Sequence, residues 1–117
     1  MILKTLRIDT RFHNMQQLEL LAKEAFPPEE YLSAATLIKM ANDDAGVDFL
    51  ALYDEDIFVG FMVVKTYKTI AYLFSLAISS QYRGLGYGSH AIQTLLELYP
   101  KFSHVVDFEM LDNLASN

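Results

Sequence analysis

The sequence predicts a mixed α/β fold of the α+β kind: a mostly antiparallel sheet that ends in one βαβ unit. Three observations predict it. Apolar residues recur at helical spacing in three segments, around Leu18–Leu21, Leu32–Met40 and Ala91–Leu96. Between the second and third of these, Phe49–Tyr53, Ile57–Val64 and Thr69–Ser79 are rich in β-branched and aromatic residues. A glycine-rich loop, Ser79–Gly88, then joins the last of those runs to the third helix. At 117 residues the whole chain, 1–117, reads as a single domain.

Taken in order, Leu3–Asp9 reads as a first strand with Leu6 and Ile8 on one face. Asn14 is placed to cap a helix carrying Met15, Leu18, Leu21, Ala22 and Ala25. Pro27-Pro28 ends that helix, because the residue before a proline is pushed out of the helical region. A second helix is expected over Glu29 to Ala41, with Leu32, Thr36, Leu37 and Met40 inward, and Asn42–Gly46 stops it. Asp54–Asp56 turns Phe49–Tyr53 into Ile57–Val64, a hairpin, and Tyr67-Lys68 turns into the third strand. There Ile70, Tyr72, Phe74, Leu76 and Ile78 occupy alternate positions. After the loop, Tyr87 to Tyr99 is a helix with Ala91, Ile92, Leu95 and Leu96 as its buried stripe, stopped by Pro100. His104 to Met110 is a further strand, parallel to the strand before the loop because a helix crosses between them.

Composition excludes several functions. The chain is 52% hydrophobic and 21% charged, the balance of an ordinary globular protein. It has no cysteine, so disulfides, thiolate nucleophiles and thiolate-held zinc are ruled out. The formal charge of −6 argues against nucleic acid as partner, since phosphate neutralisation needs clustered Lys and Arg. No apolar run approaches the roughly 18 residues of a membrane span, and Lys4 and Arg7 interrupt the apolar stretch a signal peptide needs. A cytoplasmic protein that engages no membrane is expected. His13, His90 and His104 have no metal-ligand spacing, and no metal is expected.

The loop Ser79-Ser-Gln-Tyr-Arg-Gly-Leu-Gly-Tyr-Gly88 carries the functional signal. Glycines at 84, 86 and 88 permit backbone conformations that side chains block and let a ligand approach the main chain. Inward N–H groups and the following helix N-terminus then make an anion site. Arg83 adds a charged donor and Ser89 a hydroxyl. The plain alternative is a glycine turn that merely reverses the chain. A Walker loop would need Lys and then Ser or Thr after its last glycine, where Ser89-His90 stand. A dinucleotide fingerprint would need GxGxxG directly after the strand and several parallel βα units. Here the glycines are spaced GxGxG and begin late, although Asp107 stands where an acid belongs, and a dinucleotide-binding protein stays as an alternative.

Gln81-Tyr-Arg-Gly84-Leu-Gly86 resembles the acyl-CoA loop Q/R-x-x-G-x-G/A of the GNAT N-acetyltransferase superfamily at every defined position. The hairpin with Val59-Gly60-Phe61 is similar to the family's second and third strands, and Ala25–Glu30 to a stretch between its first two helices. The resemblance implies a GNAT-like sheet with helices on both faces and acetyl-CoA as cosubstrate. It places the pantetheine arm against Leu76, Ala77 and Ile78. The pyrophosphate falls on Gln81, Arg83, Gly84, Leu85, Gly86, Tyr87, Gly88 and Ser89. An amine would attack the acyl carbonyl directly in the opening between two splayed parallel strands, with a backbone N–H near Leu76 to Ile78 stabilising the developing oxyanion. The resemblance further implies that another helix and two strands, with the tyrosine that protonates the leaving thiolate, lie beyond Asn117. The domain is expected to be C-terminally incomplete, with the edge of His104–Met110 covered by a further segment or by a second copy of the chain.

An amine with a pKa of about 10 needs a base to become nucleophilic at neutral pH. Asp107 and Glu109 share one face of their strand, and Glu109 is the preferred candidate; both could equally solvate an outer face. Glu29, Glu30 and Tyr31 lie where the family places its acceptor loop, although acids also favour a helix N-terminal turn on their own account. Two function classes follow: an N-acetyltransferase acting on a small-molecule or peptide amine, or a non-catalytic acyl-CoA-binding or interaction module.

Overall fold

The computed structural model describes residues 3–100 and 104–106. The chain runs β1 (Lys4–Arg7), α1 (Met15–Ala25), α2 (Ala34–Asp43), β2 (Val47–Asp54), β3 (Ile57–Tyr67), β4 (Ile70–Ile78), α3 (Tyr87–Leu98) and β5 (His104–Val106). Short 3-10 turns, Pro28–Glu30 and Ser80–Tyr82, precede α2 and α3. One sheet contains the strands in chain order, antiparallel from β1 to β4 and parallel between β4 and β5. The mixed, mostly antiparallel sheet with one βαβ unit is therefore the observed fold.

Two apolar cores sandwich the sheet. On one face Leu18, Leu21, Leu37 and Ile38 from α1 and α2 meet Phe49, Ala51, Phe61 and Val63. On the other, Ala91, Leu95 and Tyr99 from the α3 side meet Leu3, Leu52, Met62, Val64 and Leu73. The helices thus lie on both faces. Asn14 precedes α1, as the sequence indicates, but its side chain makes no backbone cap. Its amide instead donates to Gln17 and its carbonyl accepts from the Tyr53 hydroxyl at 2.7 Å, which ties α1 to β2. A second tie joins the chain ends of the fold: Leu3 N–H donates to Thr94 Oγ1 at 3.0 Å, and that hydroxyl donates to the His90 carbonyl.

Several details differ from the expectation. The second helix starts at Ala34, not Glu29, because Ser33 Oγ caps it by accepting the Thr36 N–H at 3.1 Å. That shift turns Thr36 outward and Ile38 inward. β1 is shorter than Leu3–Asp9, and its Leu6 is 52% exposed while Ile8 is buried just past the strand end. Of the strand expected over His104–Met110, the described part is His104–Val106.

The largest departure is in β4. Register slips by one between Val63 and Val64, which pair with Ser75 and Leu73, so Phe74 is an extra residue. The bulge changes the phase of the strand. Ala77 packs with the α1–α2 core, whereas Ala71 and Leu73, of the same parity, pack with α3. Leu76 and Ile78 also join the α3 side, so the alternate residues from Ile70 to Ile78 do not form one face.

Gly60 of β3 pairs with Ile78, and a Cβ there would lie 2.1 Å from the Ala77 carbonyl oxygen. Since backbone is the obstacle, Gly60→Ala must push β3 and β4 apart. We expect it to cost about 1–3 kcal/mol, read as a lower midpoint in urea unfolding.

A polar cluster closes the other end of the sheet. The Tyr99 hydroxyl donates to Asp48 Oδ2 at 2.5 Å, and Arg7 pairs with Asp48 Oδ1 at 2.7 Å. Burial, and then the bond to Asp48, hold the Tyr99 phenol well above the usual tyrosine range. Its contribution to stability is therefore fully present below the unfolded-state pKa of about 10 and is lost progressively as pH rises above it. Tyr99→Phe should lower stability at pH 7 and flatten the loss above pH ~10, measured by denaturation across pH.

Candidate functional site

The site is built at the C-terminal end of β4. Among the described residues, β5 pairs with β4 at Ile70, Ala71 and Tyr72. From Leu73 on, β4 has β3 on one side and, among the described residues, no strand on the other. The bulge at Phe74 lies in this stretch. Leu76, Ala77 and Ile78 follow it and lead directly into the glycine loop.

The loop is shaped locally. Ser79 N–H donates to the Val59 carbonyl at 2.9 Å, and Tyr82 N–H to the Ser79 carbonyl at 2.8 Å, which fixes the turn that carries Gln81. Arg83 Nε donates to the Ile78 carbonyl at 2.9 Å, and its terminal nitrogen lies 3.9 Å from Glu24 of α1. Arg83 therefore braces the strand-to-loop corner, and its remaining donors point into a weak, solvent-exposed ion pair. Gly84 and Gly86 both have positive φ, 78° and 90°, a region that L side chains resist. A Cβ at Gly84 or Gly88 would meet nothing within 4 Å, so the space over the loop is open.

Gly86 is the N-cap of α3, and no side chain caps the helix or places an acid in its first turn. The first intrahelical bond shown runs from His90 N–H to the Gly86 carbonyl at 3.1 Å. The N–H groups of Tyr87, Gly88 and Ser89 have no acceptor within the helix, and with the dipole's positive end behind them this is an arrangement that suits an anion. Leu85 stands exposed at the loop tip. The Tyr87 hydroxyl donates to Asp54 Oδ2 at 2.5 Å, across to the turn between β2 and β3. That hydrogen bond first, then desolvation and the negative charge of Asp54, raise the Tyr87 phenol above its ordinary value.

A cavity of about 480 Å³ lies on the α2 side of the bulge, lined by Met40, Val47, Val63, Lys65 and Phe74 among others. A smaller hollow of about 210 Å³ flanks the loop, between Gln17 and Glu24 of α1 and Ser80 and Gln81. Glu29 is exposed in the 3-10 turn and Tyr31 is 40% exposed beside it. Among the described residues no hydrogen bond or ion pair joins either to the glycine loop. Asp107 and Glu109 lie outside the described residues, as does the side chain of Glu30. His90 is half-buried beside Gly86, and its Nδ1 is buried without a hydrogen-bond partner among the described residues. No group of three His, Cys, Asp or Glu able to hold a metal occurs among the described residues, and no helix there is long and apolar enough to cross a membrane. Sequence reasoning missed Asp54, whose only signal was a place in an acidic hairpin turn.

Sheet, bulge and loop together make a mixed α+β scaffold with a glycine loop at the N-terminus of α3, and comparison with known proteins gives that scaffold a family. The chain belongs to the GNAT acetyltransferases: the model described as Acetyltransferase (GNAT) family matches residues 12–116. No curated protein matches it by sequence. A solved structure from Bacteroides thetaiotaomicron, assigned to the GNAT acetyltransferases, is 25% identical with a TM-score of 0.72. The match covers 82% of this chain and 55% of that one, so this chain spans little more than half of its length. A GNAT family acetyltransferase from Staphylococcus aureus shares the fold at 17% identity and a TM-score of 0.69, covering 92% and 86% of the two chains. So does the PaiA N-acetyltransferase from Thermoplasma acidophilum, solved in complex with coenzyme A, at 16% identity and a TM-score of 0.64, covering 86% and 74%. The family's general chemistry is acyl transfer from acetyl-CoA to amines.

The loop geometry separates two glycines. Gly86→Ala should cost about 1–2 kcal/mol because its left-handed backbone strains any L side chain. Gly88→Ala, in open space within the first turn of α3, should be neutral or stabilising by up to ~0.5 kcal/mol. Thermal unfolding of the two variants reads the difference.

Proposed function

We propose that this chain carries the acyl-CoA site of an N-acetyltransferase that acts on a primary amine, as a small molecule or at a peptide. The observation that carries the reading is the open, uncapped glycine loop at the N-terminus of α3, entered from a β4 edge that no described strand covers. The residues present fit the cosubstrate: the space over Gly84 and Gly88 would be filled by a Cβ, and the donors of Tyr87, Gly88 and Ser89 have no acceptor within the helix.

In this reading Leu76, Ala77 and Ile78 offer backbone groups to the pantetheine arm. Gln81 and the main chain from Arg83 to Ser89 take the pyrophosphate, with Arg83 exchanging Glu24 for a phosphate oxygen. Acetyl-CoA would supply an activated acyl carbon; the amine nitrogen bonds to that carbon as its bond to sulfur breaks, and CoA leaves as the thiolate, which takes a proton from solvent. A backbone N–H beyond the bulge, near Leu76 to Ile78, steadies the negative charge that develops on the carbonyl oxygen. Glu109, or Asp107, accepts the proton from the attacking amine. Glu29, Glu30 and Tyr31 contact the acceptor.

Calorimetric titration should show saturable binding of acetyl-CoA by the wild-type chain and its loss in Gly86→Glu, which sets a carboxylate in the anion site. Release of free thiol with a panel of amines then identifies catalysis. Binding without thiol release would make the chain an acyl-CoA-binding module. A folded chain that does not bind acetyl-CoA would sink the ligand assignment. Unchanged turnover in Glu109→Gln would remove that residue from the mechanism.

A further inference from the structure

The turn between β2 and β3 lies far from the loop in sequence, yet it holds the loop's last aromatic residue. Tyr87 is fixed at two points. Its ring packs edge-on against Tyr82, with centroids 6.1 Å apart and planes at 90°, so the two ends of the segment Tyr82–Tyr87 touch. Its hydroxyl donates to Asp54 Oδ2 at 2.5 Å, and Asp54 is half-buried at the last pair of the β2–β3 ladder, opposite Ile57. Leu76, Ile78, Tyr82 and Tyr87 also border the same core. The glycines between these two tyrosines supply no side-chain contact of their own, and Gly84 and Gly86 are the positions whose freedom must be restrained for the donors to stay aimed.

We propose that Asp54 is a positioning residue: through the Tyr87 hydroxyl it holds the glycine loop and the first turn of α3 in the open arrangement before any ligand arrives. The proposal rests on the reading that this loop binds the acyl-CoA phosphates. A carboxylate so close to an anion site would weaken binding if it acted by its charge alone. The hydrogen bond reverses that expectation, because ordering the loop in advance removes a cost that binding would otherwise carry.

The test compares Asp54→Ala, Asp54→Asn, Tyr87→Phe and the Asp54→Ala/Tyr87→Phe double variant in the intact chain. Amide hydrogen exchange over residues 84–89 is measured without ligand, and acetyl-CoA affinity by calorimetry. Asp54→Ala and Tyr87→Phe should each speed loop exchange and weaken acetyl-CoA binding about fivefold, the size of one ordinary hydrogen bond. The double variant should lose no more than either single one. Asp54→Asn keeps an acceptor for the phenol and should stay close to wild type. Should Asp54→Ala fail to fold, Tyr87→Phe, which keeps the ring packing, carries the comparison. Unchanged loop exchange, additive losses, or tighter binding by both Asp54→Ala and Asp54→Asn would overturn the proposal. If the wild-type chain did not bind acetyl-CoA, the ligand assignment would fall, and loop exchange would still decide whether Asp54 orders the loop.

Discussion

Phe74, the one extra residue in β4, sets the conditions for everything around the site. Before it, β4 sends Ala71 and Leu73 into the α3 core and pairs with β5. After it, Ala77 belongs to the opposite core, and the strand's β5-side edge has no described partner. A regular strand would have continued the alternation. The bulge inverts it within a single residue and leaves Phe74 37% exposed. Beyond it the strand stays paired with β3 through Leu76, Ala77 and Ile78 and runs straight into the loop.

A strand can aim the loop that follows it only if its neighbour is rigid, and β3 supplies that rigidity. Gly60 lets the β3 backbone approach so closely that the Ala77 carbonyl occupies the place of a side chain. The Ser79 N–H continues the contact by donating to Val59, and Arg83 closes the corner on the Ile78 carbonyl. The direction in which β4 leaves the sheet is therefore fixed by backbone contacts, which side-chain substitutions elsewhere do not readily disturb. α3 is fixed independently by the buried Thr94 bridge between Leu3 and His90. The loop spans two anchored elements and needs to order only itself.

Much of this was legible in the sequence, for identifiable reasons. The hairpins announced themselves through turn residues and β-branched runs, and α3 through its apolar spacing and Pro100, although Thr94 is buried on it while Leu96, expected inward, is 52% exposed. The loop motif was visible because three glycines at alternate positions are rarely needed by a simple turn. Three features were not visible. Ser33 competes with a plausible acidic helix start at Glu29-Glu30, and only its bond to the Thr36 N–H decides between them. The bulge leaves no mark on composition, since Phe74 is as good a strand residue as its neighbours. Asp54 reads as one of three acids in a turn until the fold brings Tyr87 to it.

That last contact bears on how an acidic chain could hold a polyanion. With 15 acidic against 9 basic residues, the long-range field opposes an anionic ligand. Near the loop the charges are already engaged: Asp54 accepts from a phenol, and Glu24 faces the Arg83 guanidinium. What remains directed at the open space is the main chain of residues 84–89 and the helix dipole behind it. These are fixed partial charges at contact distance, and screening over roughly 8 Å at physiological salt blunts the distant carboxylates far more than the adjacent amides. An anion site at this loop would therefore be made by geometry rather than by net charge. Its strength depends on how well the loop is held, so a neutral hydrogen-bond donor such as Tyr87, engaged by an acid, can serve it as well as a lysine.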